Sequence, residues 1–446
     1  MIVVVSDLHL TDGASGTTAE PGAFGLFARL LGEMARHAGH RAGGFRPLDE
    51  GIDLVLLGDI LDLLRSSGWP ARADASARVA RPWEAPEEIA PTVARIVERT
   101  LQRNAEGLSV LASLARDGAL FYEEGQPYRV PVRISYFVGN HDWLLRLPGS
   151  AYDEIRERVV TSIGLVQDPG RPFPHALDEA APELAARAAL HRLVLRHGDV
   201  HDGFNFAGGR NHSAIGDAVV IEILNRFPEC VREELGLAAD APVYLALREI
   251  DNVRPFTLIP AWVLGVIRRF GLEGAMGGAA ILAVWNRLAE EFFDLQRIRR
   301  ADRSWRWDEV DRLELGFRFL KGLTAGRIAR ATSNQLLRLV ADRHRRFAQH
   351  ALREPEIVSG AARFVAYGHT HAHEIRPLDA RAGEGIGKQF YLNSGTWRPT
   401  YRQTVAGPER LEFLGFHALT VLAFYAGDER AGRGFEVWNG ALEGPL

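Results

Sequence analysis

Short apolar runs recur along the chain, and each ends in a cluster of polar residues. Runs of this kind, bounded by glycine and polar residues, are typical of buried β-strands. In open α/β sheets, ligands bind just beyond the carboxyl ends of the strands, so these strands would deliver their polar residues to one site. The five runs are Ile2–Val5, Leu54–Leu57, Ile134–Val138, Leu193–Leu195 and Phe364–Tyr367.

Between the predicted strands, apolar residues fall at i, i+3 and i+4, the spacing of amphipathic helices. The largest such segment, residues 203–360, has a mostly helical pattern. Shorter helical insertions are predicted near 65–130 and 150–190, with helices from about Ile89 to Arg116, around Tyr152–Val160 and around Leu177–Leu190. Further strands are predicted over Gln389–Leu392, Leu411–Tyr425 and Gly434–Trp438.

The order of these elements predicts an α/β core made from residues 1–202 and 361–446, with a helical cap at 203–360. A chain of 446 residues, 46% of them hydrophobic, can bury a core of that size. The formal net charge of −4 gives no overall basic signature, so bulk attraction to nucleic acid is not indicated. The single cysteine, Cys230, excludes an internal disulfide and fits a reducing compartment.

We expect a cytoplasmic protein without a transmembrane segment. The first strand would carry Asp7 and His9, so removal of this segment as a signal peptide would delete them. No apolar run reaches the roughly 18 to 20 residues of a spanning helix. Phe256–Ile267 and Ala275–Val284 are apolar enough for peripheral membrane contact, but their amphipathic neighbours favour two packed helices of the cap.

The polar clusters at the strand ends contain residue types that bind metals. Each cluster alone is weak, because Asp-x-His is expected by chance about once in a protein this long, and Gly-Asp after a strand often forms a turn. All five clusters together, each at a strand end, are far less expected by chance. They read Asp7-Leu8-His9, Gly58-Asp59-Ile60-Leu61-Asp62, Gly139-Asn140-His141-Asp142, His197-Gly198-Asp199 and Gly368-His369-Thr370-His371.

The order and spelling of these clusters resemble the calcineurin-like metallophosphoesterase superfamily, whose pattern is D-x-H, G-D-x-x-D, G-N-H-D/E, H and G-H-x-H. The resemblance lies between residue 1 and about residue 396 and covers only the strand-end segments. It implies a four-layer αββα sandwich, in which two sheets are flanked by helices, with a large helical insertion. The predicted elements are compatible with that fold, but equally with a single doubly wound sheet.

The resemblance also implies a centre of two divalent metal ions. Carboxylate and amide oxygens combined with imidazoles suit Mn²⁺, Fe or Zn²⁺, and we expect Mn²⁺. By resemblance, Asp59 would bridge the two ions, and a bridging hydroxide would attack phosphorus in line. The other ligands would be Asp7, His9 and His371 for the first ion, and Asn140, His197 and His369 for the second.

The same resemblance assigns His141 to the protonation of the leaving oxygen and Asp62 to the orientation of His141. From the sequence alone, Asp62 is also explained as the cap or first-turn acid of a helix. Three more histidines lie near the motifs, and we interpret them as supporting or surface residues rather than ligands. They are His201, His212 and His373.

The pattern predicts a phosphoric ester hydrolase that acts on a phosphomonoester or phosphodiester, with the cap selecting the substrate. Leu63 and Leu64 depart from the G-D-x-V-D-R-G motif of protein phosphatases, which disfavours that class. Bacterial UDP-diacylglucosamine hydrolases share His-Gly-Asp, but they typically carry arginine where His141 stands. A sugar-nucleotide or lipid-headgroup pyrophosphatase is therefore a lesser alternative.

A DNA nuclease of the SbcD type is the main alternative, because such enzymes use Gly-Asn-His-Asp. Their capping region and partner-binding helices are not recognisable in this sequence. Basic residues outnumber acidic ones from Trp285 to Phe347, and Trp305-Arg306-Trp307 adds aromatics, a mixture that suits nucleic acid or another anionic substrate. We favour a solvated helix face with intrahelical ion pairs for this stretch. A non-catalytic scaffold would have no physical reason to keep every ligand position filled.

Overall fold

The computed structural model of the protein describes residues 1–69, 79–272, 277–301, 346–380, 387–405 and 411–442. These residues form a mixed α/β fold with parallel and antiparallel sheets, as the sequence predicts. The strands are β1 (Ile2–Val5), β2 (His40–Arg41), β3 (Gly44–Phe45), β4 (Ile52–Leu57), β5 (Ala119–Glu123), β6 (Gln126–Val130), β7 (Val132–Phe137), β8 (Leu193–Leu195), β9 (Phe364–Tyr367), β10 (His373–Asp379), β11 (Gln389–Ser394), β12 (Thr400–Gln403), β13 (Phe413–Phe424) and β14 (Phe435–Leu442). The helices are α1 (Pro21–Gly39), α2 (Pro86–Arg103), α3 (Ala105–Asp117), α4 (Ser150–Ile163), α5 (Pro182–Leu190), α6 (Ile215–Val219), α7 (Arg226–Glu234), α8 (Pro242–Arg248), α9 (Ile259–Arg269), α10 (Gly277–Asp294), α11 (Gln296–Ala301), α12 (346–351) and α13 (Pro355–Val358).

One sheet holds the first three predicted strands side by side. β1 lies parallel to β4, and β4 lies parallel to β7. On its other side, β1 pairs antiparallel with β13, which also pairs with β12 and β14. Because β1, β4 and β7 run in the same direction, their carboxyl ends lie at the same edge of the sheet.

A second sheet holds the other two predicted strands. Its order is β10–β11–β9–β8, with β9 parallel to both β8 and β11, and β10 antiparallel to β11. The five predicted strands are therefore all present, and they are divided between two sheets, which is one of the two arrangements that the predicted elements allow.

A hydrophobic core lies between the two sheets. Ile2 and Val4 of β1 belong to the same buried cluster as Ala366 of β9. Val3 and Val5, on the other face of β1, belong to a cluster formed with helices α1 to α4. Residues of α12 and α13 pack on the second sheet. Burial on both faces explains why the strands read as continuous apolar runs rather than as alternating patterns.

The helix predicted from about Ile89 to Arg116 is two helices, α2 and α3, which meet at Asn104. The Asn104 side-chain amide donates to the carbonyl oxygens of Thr100 at 2.7 Å and Thr11 at 2.9 Å. These bonds compete with the backbone pattern of a continuous helix, so the prediction of a single helix is wrong. The hairpin of β5 and β6 follows α3, and the apolar periodicity does not predict it.

The described part of residues 203–360 is helical and has a core of its own. Phe227 of α7, Val263 of α9 and Trp285 of α10 are buried together. The two apolar segments singled out as possible membrane contacts contribute to this core, although residues 275–276 of the second lie outside the described residues. Trp305-Arg306-Trp307 and most of the basic stretch around it also lie outside the described residues. In the described part of the chain, no helix combines the length and apolar character needed to cross a bilayer.

Candidate metal centre

The seven predicted ligands lie together where strand ends of the two sheets meet. β1, β4 and β7 lead into them from one sheet, and β8 and β9 lead into them from the other. Six of these side chains are buried, and the His371 side chain is 9% exposed. We call this set of candidate ligands the metal centre: Asp7, His9, Asp59, Asn140, His197, His369 and His371.

Four of these residues form a first group, whose candidate ligand atoms lie within 4.8 Å of one another. His9 Nε2 is 2.9 Å from His371 Nε2 and 3.6 Å from Asp59 Oδ2. His371 Nε2 is 3.3 Å from Asp7 Oδ1. Asp7, His9, Asp59 and His371 are the set that the resemblance implies for the first ion.

A second group adjoins the first and shares Asp59 with it. Candidate ligand atoms of Asp59, His197 and His369 lie within 4.8 Å of one another. His197 Nε2 is 3.2 Å from Asp59 Oδ2, and His369 Nδ1 is 2.9 Å from the side-chain oxygen of Asn140. The shared position of Asp59 is the one expected for a bridging ligand.

The surroundings of His197 indicate whether these residues can accommodate a cation. Its Nδ1 lies 2.8 Å from the carbonyl oxygen of Leu57, which accepts from it, so Nε2 is the nitrogen that could bind a metal once it has lost its proton. That Nε2 atom is buried beside Asp59 and has no hydrogen-bond partner among the described residues. Burial opposes protonation, but the charges of Asp59 and Asp7 outweigh it and raise the pKa of His197 to about 10. The site therefore favours a cation, and its buried Asp and His groups can hold metal ions.

Asp62 holds two histidines at once. Its Oδ1 is 2.7 Å from His141 Nδ1, and its Oδ2 is 3.0 Å from His9 Nδ1. The predicted pairing of Asp62 with His141 is thus present, and residues 63–69, which follow Asp62, form no helix for it to cap. The bond to His9 was not expected from the sequence; it orients a ligand imidazole, as carboxylates commonly do in metal sites.

Asp202 contacts His369 as Asp62 contacts His9. The sequence patterns do not predict this contact. Its Oδ2 lies 3.0 Å from His369 Nε2, while the other ring nitrogen faces Asn140. The available signal is weak, because Asp202 merely follows His197-Gly198-Asp199 by three residues.

Five ligands adopt backbone conformations that L-residues rarely take. Their φ values are 54° for Asp7, 45° for His9, 53° for Asp59, 68° for His369 and 57° for His371. Strained conformations of this kind persist where the surrounding structure over-determines them, and they cluster at functional sites. Five of the ten non-glycine residues with positive φ in the described part of the chain are thus candidate ligands.

The glycines of the motifs leave room for the ligands. A Cβ atom on Gly139 would lie 2.3 Å from Asp59 Oδ1, and one on Gly368 would lie 2.4 Å from Asp7 Oδ2. Any side chain at these positions would therefore displace a ligand. The Gly-Asn-His-Asp and Gly-His-x-His motifs require glycine for space, not only for the turn.

Asp142, the last residue of Gly139-Asn140-His141-Asp142, joins two loops of the site through hydrogen bonds. Its carboxylate accepts from the backbone of Gly139 at 2.6 Å and of Ile60 at 2.9 Å, and from the Tyr136 hydroxyl at 2.6 Å. It thereby ties the loop after β7 to the loop after β4. Each of these two loops carries ligands, so these bonds fix their spacing.

The other histidines near the motifs belong to none of the Asp/His groups among the described residues. The His201 ring stacks on His350 with 4.4 Å between centroids, and its Nε2 is 3.2 Å from the Tyr367 hydroxyl. His212 and His373 are exposed. Their interpretation as supporting or surface residues agrees with these positions.

No protein-family model matches the chain, and no curated protein matches it either. The argument for function therefore depends on the geometry of the metal centre and on the motifs that form it.

Proposed function

We propose that this protein is a divalent-metal-dependent phosphoric ester hydrolase of the calcineurin-like metallophosphoesterase type. The observation that carries the proposal is the pair of adjoining Asp/His groups that share Asp59. Two neighbouring sites joined by one carboxylate are what two-metal hydrolysis of phosphate esters uses. Imidazoles with carboxylate and amide oxygens suit Mn²⁺, with Fe or Zn²⁺ as alternatives.

The packing of the two sheets supports the same assignment. A core between the sheets, with helices over their outer faces, is the arrangement of an αββα sandwich. In that arrangement, both sheets contribute ligands from their strand ends. The helices of residues 203–360 fit the expected cap.

The chemistry divides between the bound ions and this chain's own residues. The ions would supply Lewis-acid charge and lower the pKa of a bound water. His141 would give a proton to the leaving oxygen. Its side chain is 18% exposed, and its Nδ1 is held by Asp62, so Nε2 is left to act on the substrate.

Charge at His141 suits this role. Burial opposes its protonation, but Asp62 and Asp59 outweigh burial and raise the pKa of His141 to about 9. At neutral pH the ring is therefore charged and carries a proton to donate. Asp62 positions the ring and stabilises its charged form.

Hydrolysis of p-nitrophenyl phosphate and of bis(p-nitrophenyl) phosphate tests the proposal. We expect turnover with added Mn²⁺ and its loss in chelator. Full activity of a metal-stripped sample would overturn the proposal. The same assays with DNA, sugar-nucleotides and lipid phosphates separate a simple esterase from the nuclease and pyrophosphatase alternatives.

The role of His141 has a separate test. His141→Gln should slow hydrolysis of esters with poor leaving groups strongly, by about 100-fold or more, and that of p-nitrophenyl esters much less. His373→Gln serves as the control, because His373 is exposed and belongs to neither Asp/His group. Equal losses for good and poor leaving groups would argue that His141 binds phosphate instead.

A further inference from the structure

The two sheets must keep a fixed distance at the metal centre, because each of them contributes candidate ligands. Asp7 follows β1 in the first sheet, whereas His369 and His371 follow β9 in the second. The backbone N–H of His369 lies 3.1 Å from Asp7 Oδ1 and 3.0 Å from Asp7 Oδ2. A displacement of Asp7 would therefore change the spacing between candidate ligands of the two sheets.

Residues 394–397, at the end of β11, reach from the second sheet to Asp7 in the first. The Thr396 hydroxyl donates to the carbonyl oxygen of Asp7 at 2.6 Å. The backbone N–H of Trp397 donates to the same oxygen at 3.2 Å. Two donors from the second sheet thus hold the backbone of a candidate ligand in the first sheet.

A second contact between the sheets involves two serine hydroxyl groups. The oxygens of Ser394 and Ser6 are 2.6 Å apart, and Ser6 in turn contacts the carboxylate of Asp7. Ser394 also lies 3.1 Å from the carbonyl oxygen of Tyr367 in β9. The backbone and the side chain of Asp7 are therefore both connected to the second sheet.

The segment that contacts Asp7 is itself held in place. The Trp397 side chain is buried against aromatic rings of α1, and its indole N–H donates to the carbonyl oxygen of Thr420 in β13 at 3.2 Å. The Thr396 hydroxyl oxygen accepts from the backbone N–H of Arg398 at 3.1 Å. Because this hydroxyl has both a donor and an acceptor partner, its orientation is fixed, and it presents its proton to Asp7.

Asp7 requires such support, because its φ of 54° is one that L-residues rarely adopt. Its backbone N–H donates to the carbonyl oxygen of Gly58 at 3.0 Å, which fixes the peptide group before it. The bonds from Thr396 and Trp397 fix the peptide group after it. Strained conformations persist where the surroundings over-determine them. Loss of the Thr396 bond would leave the second peptide group to the longer bond from Trp397.

We propose that Thr396 is a positioning residue that holds Asp7 in the conformation in which it binds a divalent metal ion. The inference rests on the metal centre of the proposed hydrolase and adds a positioning residue to it. The Thr396 hydroxyl is bonded to the backbone of Asp7 and Arg398, so it acts through Asp7 rather than on a metal or a substrate. A ligand that is already in place binds a metal without the entropic cost of being ordered.

Calorimetric titration of Mn²⁺ into the metal-free protein tests this without relying on turnover. At a temperature where every variant is folded, the titration reports on the folded state alone. Thr396→Val keeps the size and branching of the side chain but removes the hydroxyl, so Mn²⁺ affinity should fall about tenfold. Thr396→Ser keeps the hydroxyl and should bind Mn²⁺ nearly as the wild type does.

Thr100→Val is the matched control. Thr100 is also buried, in α2, and its hydroxyl has no hydrogen-bond partner among the described residues. The same chemical change should therefore leave Mn²⁺ affinity unchanged at this position.

Unchanged Mn²⁺ affinity in Thr396→Val would overturn the inference, even if the variant unfolds more readily, since that would show a merely structural role. A loss of affinity that also occurs in Thr396→Ser would overturn it as well. If Thr396→Val does not fold, Thr396→Cys carries the test, because a thiol of similar size is only a weak donor. Mn²⁺ affinity of Thr396→Cys should then fall, and wild-type affinity would overturn the inference.

The two proposals fail in different ways. Mn²⁺ affinity that depends on Thr396, without hydrolysis of any ester, would contradict the hydrolase and leave the positioning role standing. Metal-dependent hydrolysis with normal Mn²⁺ affinity in Thr396→Val would contradict only the positioning role.

Discussion

Two buried ionic clusters lie side by side in this protein, and they differ in where their positive charge comes from. The arginine cluster consists of Arg65, Asp251 and Arg398. Asp251 Oδ2 accepts from Arg65 Nε at 3.0 Å and from Arg398 Nη2 at 2.7 Å. Burial alone would raise the pKa of Asp251, but the two guanidinium groups hold it far below its ordinary value. This cluster contains its own permanent cations.

The metal centre has carboxylates that lack such partners. Among the described residues, Asp7 and Asp59 form ion pairs only with histidines. A histidine is a cation only while protonated, and the proton occupies a nitrogen that a metal would use. A shortage of permanent positive charge therefore distinguishes a ligand site from a structural ion cluster, although both are equally buried.

Asp62 connects the two clusters. It lies 3.7 Å from Arg398 Nη1 and accepts from His9 and His141 on its other side. The cap enters the same network through Asp251, so the cap and the part of the chain that carries the ligands are linked by buried charge. Variants in the arginine cluster test for a structural role, and variants in the metal centre test for a role in metal binding.

The largest expected effect comes from the arginine cluster. Asp251→Asn removes the carboxylate that two buried guanidinium groups share, and it leaves Arg65 without an ion-pair partner among the described residues. Breaking a buried ion pair typically costs about 3–5 kcal/mol of unfolding free energy. The denaturant midpoint should therefore fall sharply, and by the same amount with Mn²⁺ and with chelator. Asp240→Asn, at an exposed position of the cap, is the control. An unchanged midpoint would mean that the charge of Asp251 is not needed.

Asp59→Asn should differ in its response to metal. In the metal-free protein at neutral pH it removes the carboxylate beside the protonated His197 ring, so stability in chelator should fall as well. Mn²⁺ at about 100 times its dissociation constant should stabilise the wild type by about 2.7 kcal/mol and the variant hardly at all. Thermal unfolding with and without Mn²⁺ measures both quantities. Equal Mn²⁺ stabilisation of wild type and variant would exclude Asp59 as a shared ligand.

Much of this site was predictable, because strands that are buried on both faces appear in the sequence as continuous apolar runs. The apolar runs predict β1, β8 and β9 to the residue. Their division between two sheets agrees with what the resemblance implies, but it does not follow from the apolar runs themselves, because sheet membership depends on pairing between distant segments such as β1 and β13. Periodicity alone also could not show that Asn104 would interrupt a helix.

The parts of the site that escaped prediction are contacts between distant segments. Asp202 bonds to His369, and Arg254 reaches His371, over sequence separations that no local motif spans. The positive φ values of five candidate ligands were equally hidden, because Asp and His adopt that region more often than most residues but still only at a small minority of positions. Motifs predicted which residues come together, but not what holds them in place.

The pH dependence of stability should also differ with and without metal. The pKa of His197 is about 10 in the metal-free fold, above its ordinary value of about 6.5, so the folded state holds a proton that the unfolded chain has lost. This contribution is fully present below about pH 6.5 and disappears as pH rises through about 10, which predicts a loss of about 1 kcal/mol per pH unit between pH 7 and 9. Mn²⁺ should flatten the profile, because it replaces the proton. Denaturation with chelator that is independent of pH would contradict the account of His197.

The smallest effect should come from a substitution of Asp202. Comparison with His373 shows whether Mn²⁺ affinity depends on contact with a candidate ligand or only on closeness to one in the sequence. Asp202→Asn keeps the shape of the side chain but weakens the acceptor for His369 Nε2, so Mn²⁺ affinity should fall by at least about tenfold. His373 lies only two residues from His371, yet it is exposed on β10, and His373→Gln should leave Mn²⁺ affinity unchanged. Calorimetric titration of the two metal-free variants decides between them. Equal affinities would mean that His369 is held by the strained backbone alone; a larger loss in His373→Gln would mean that the metal centre extends along β10, beyond the two groups that share Asp59.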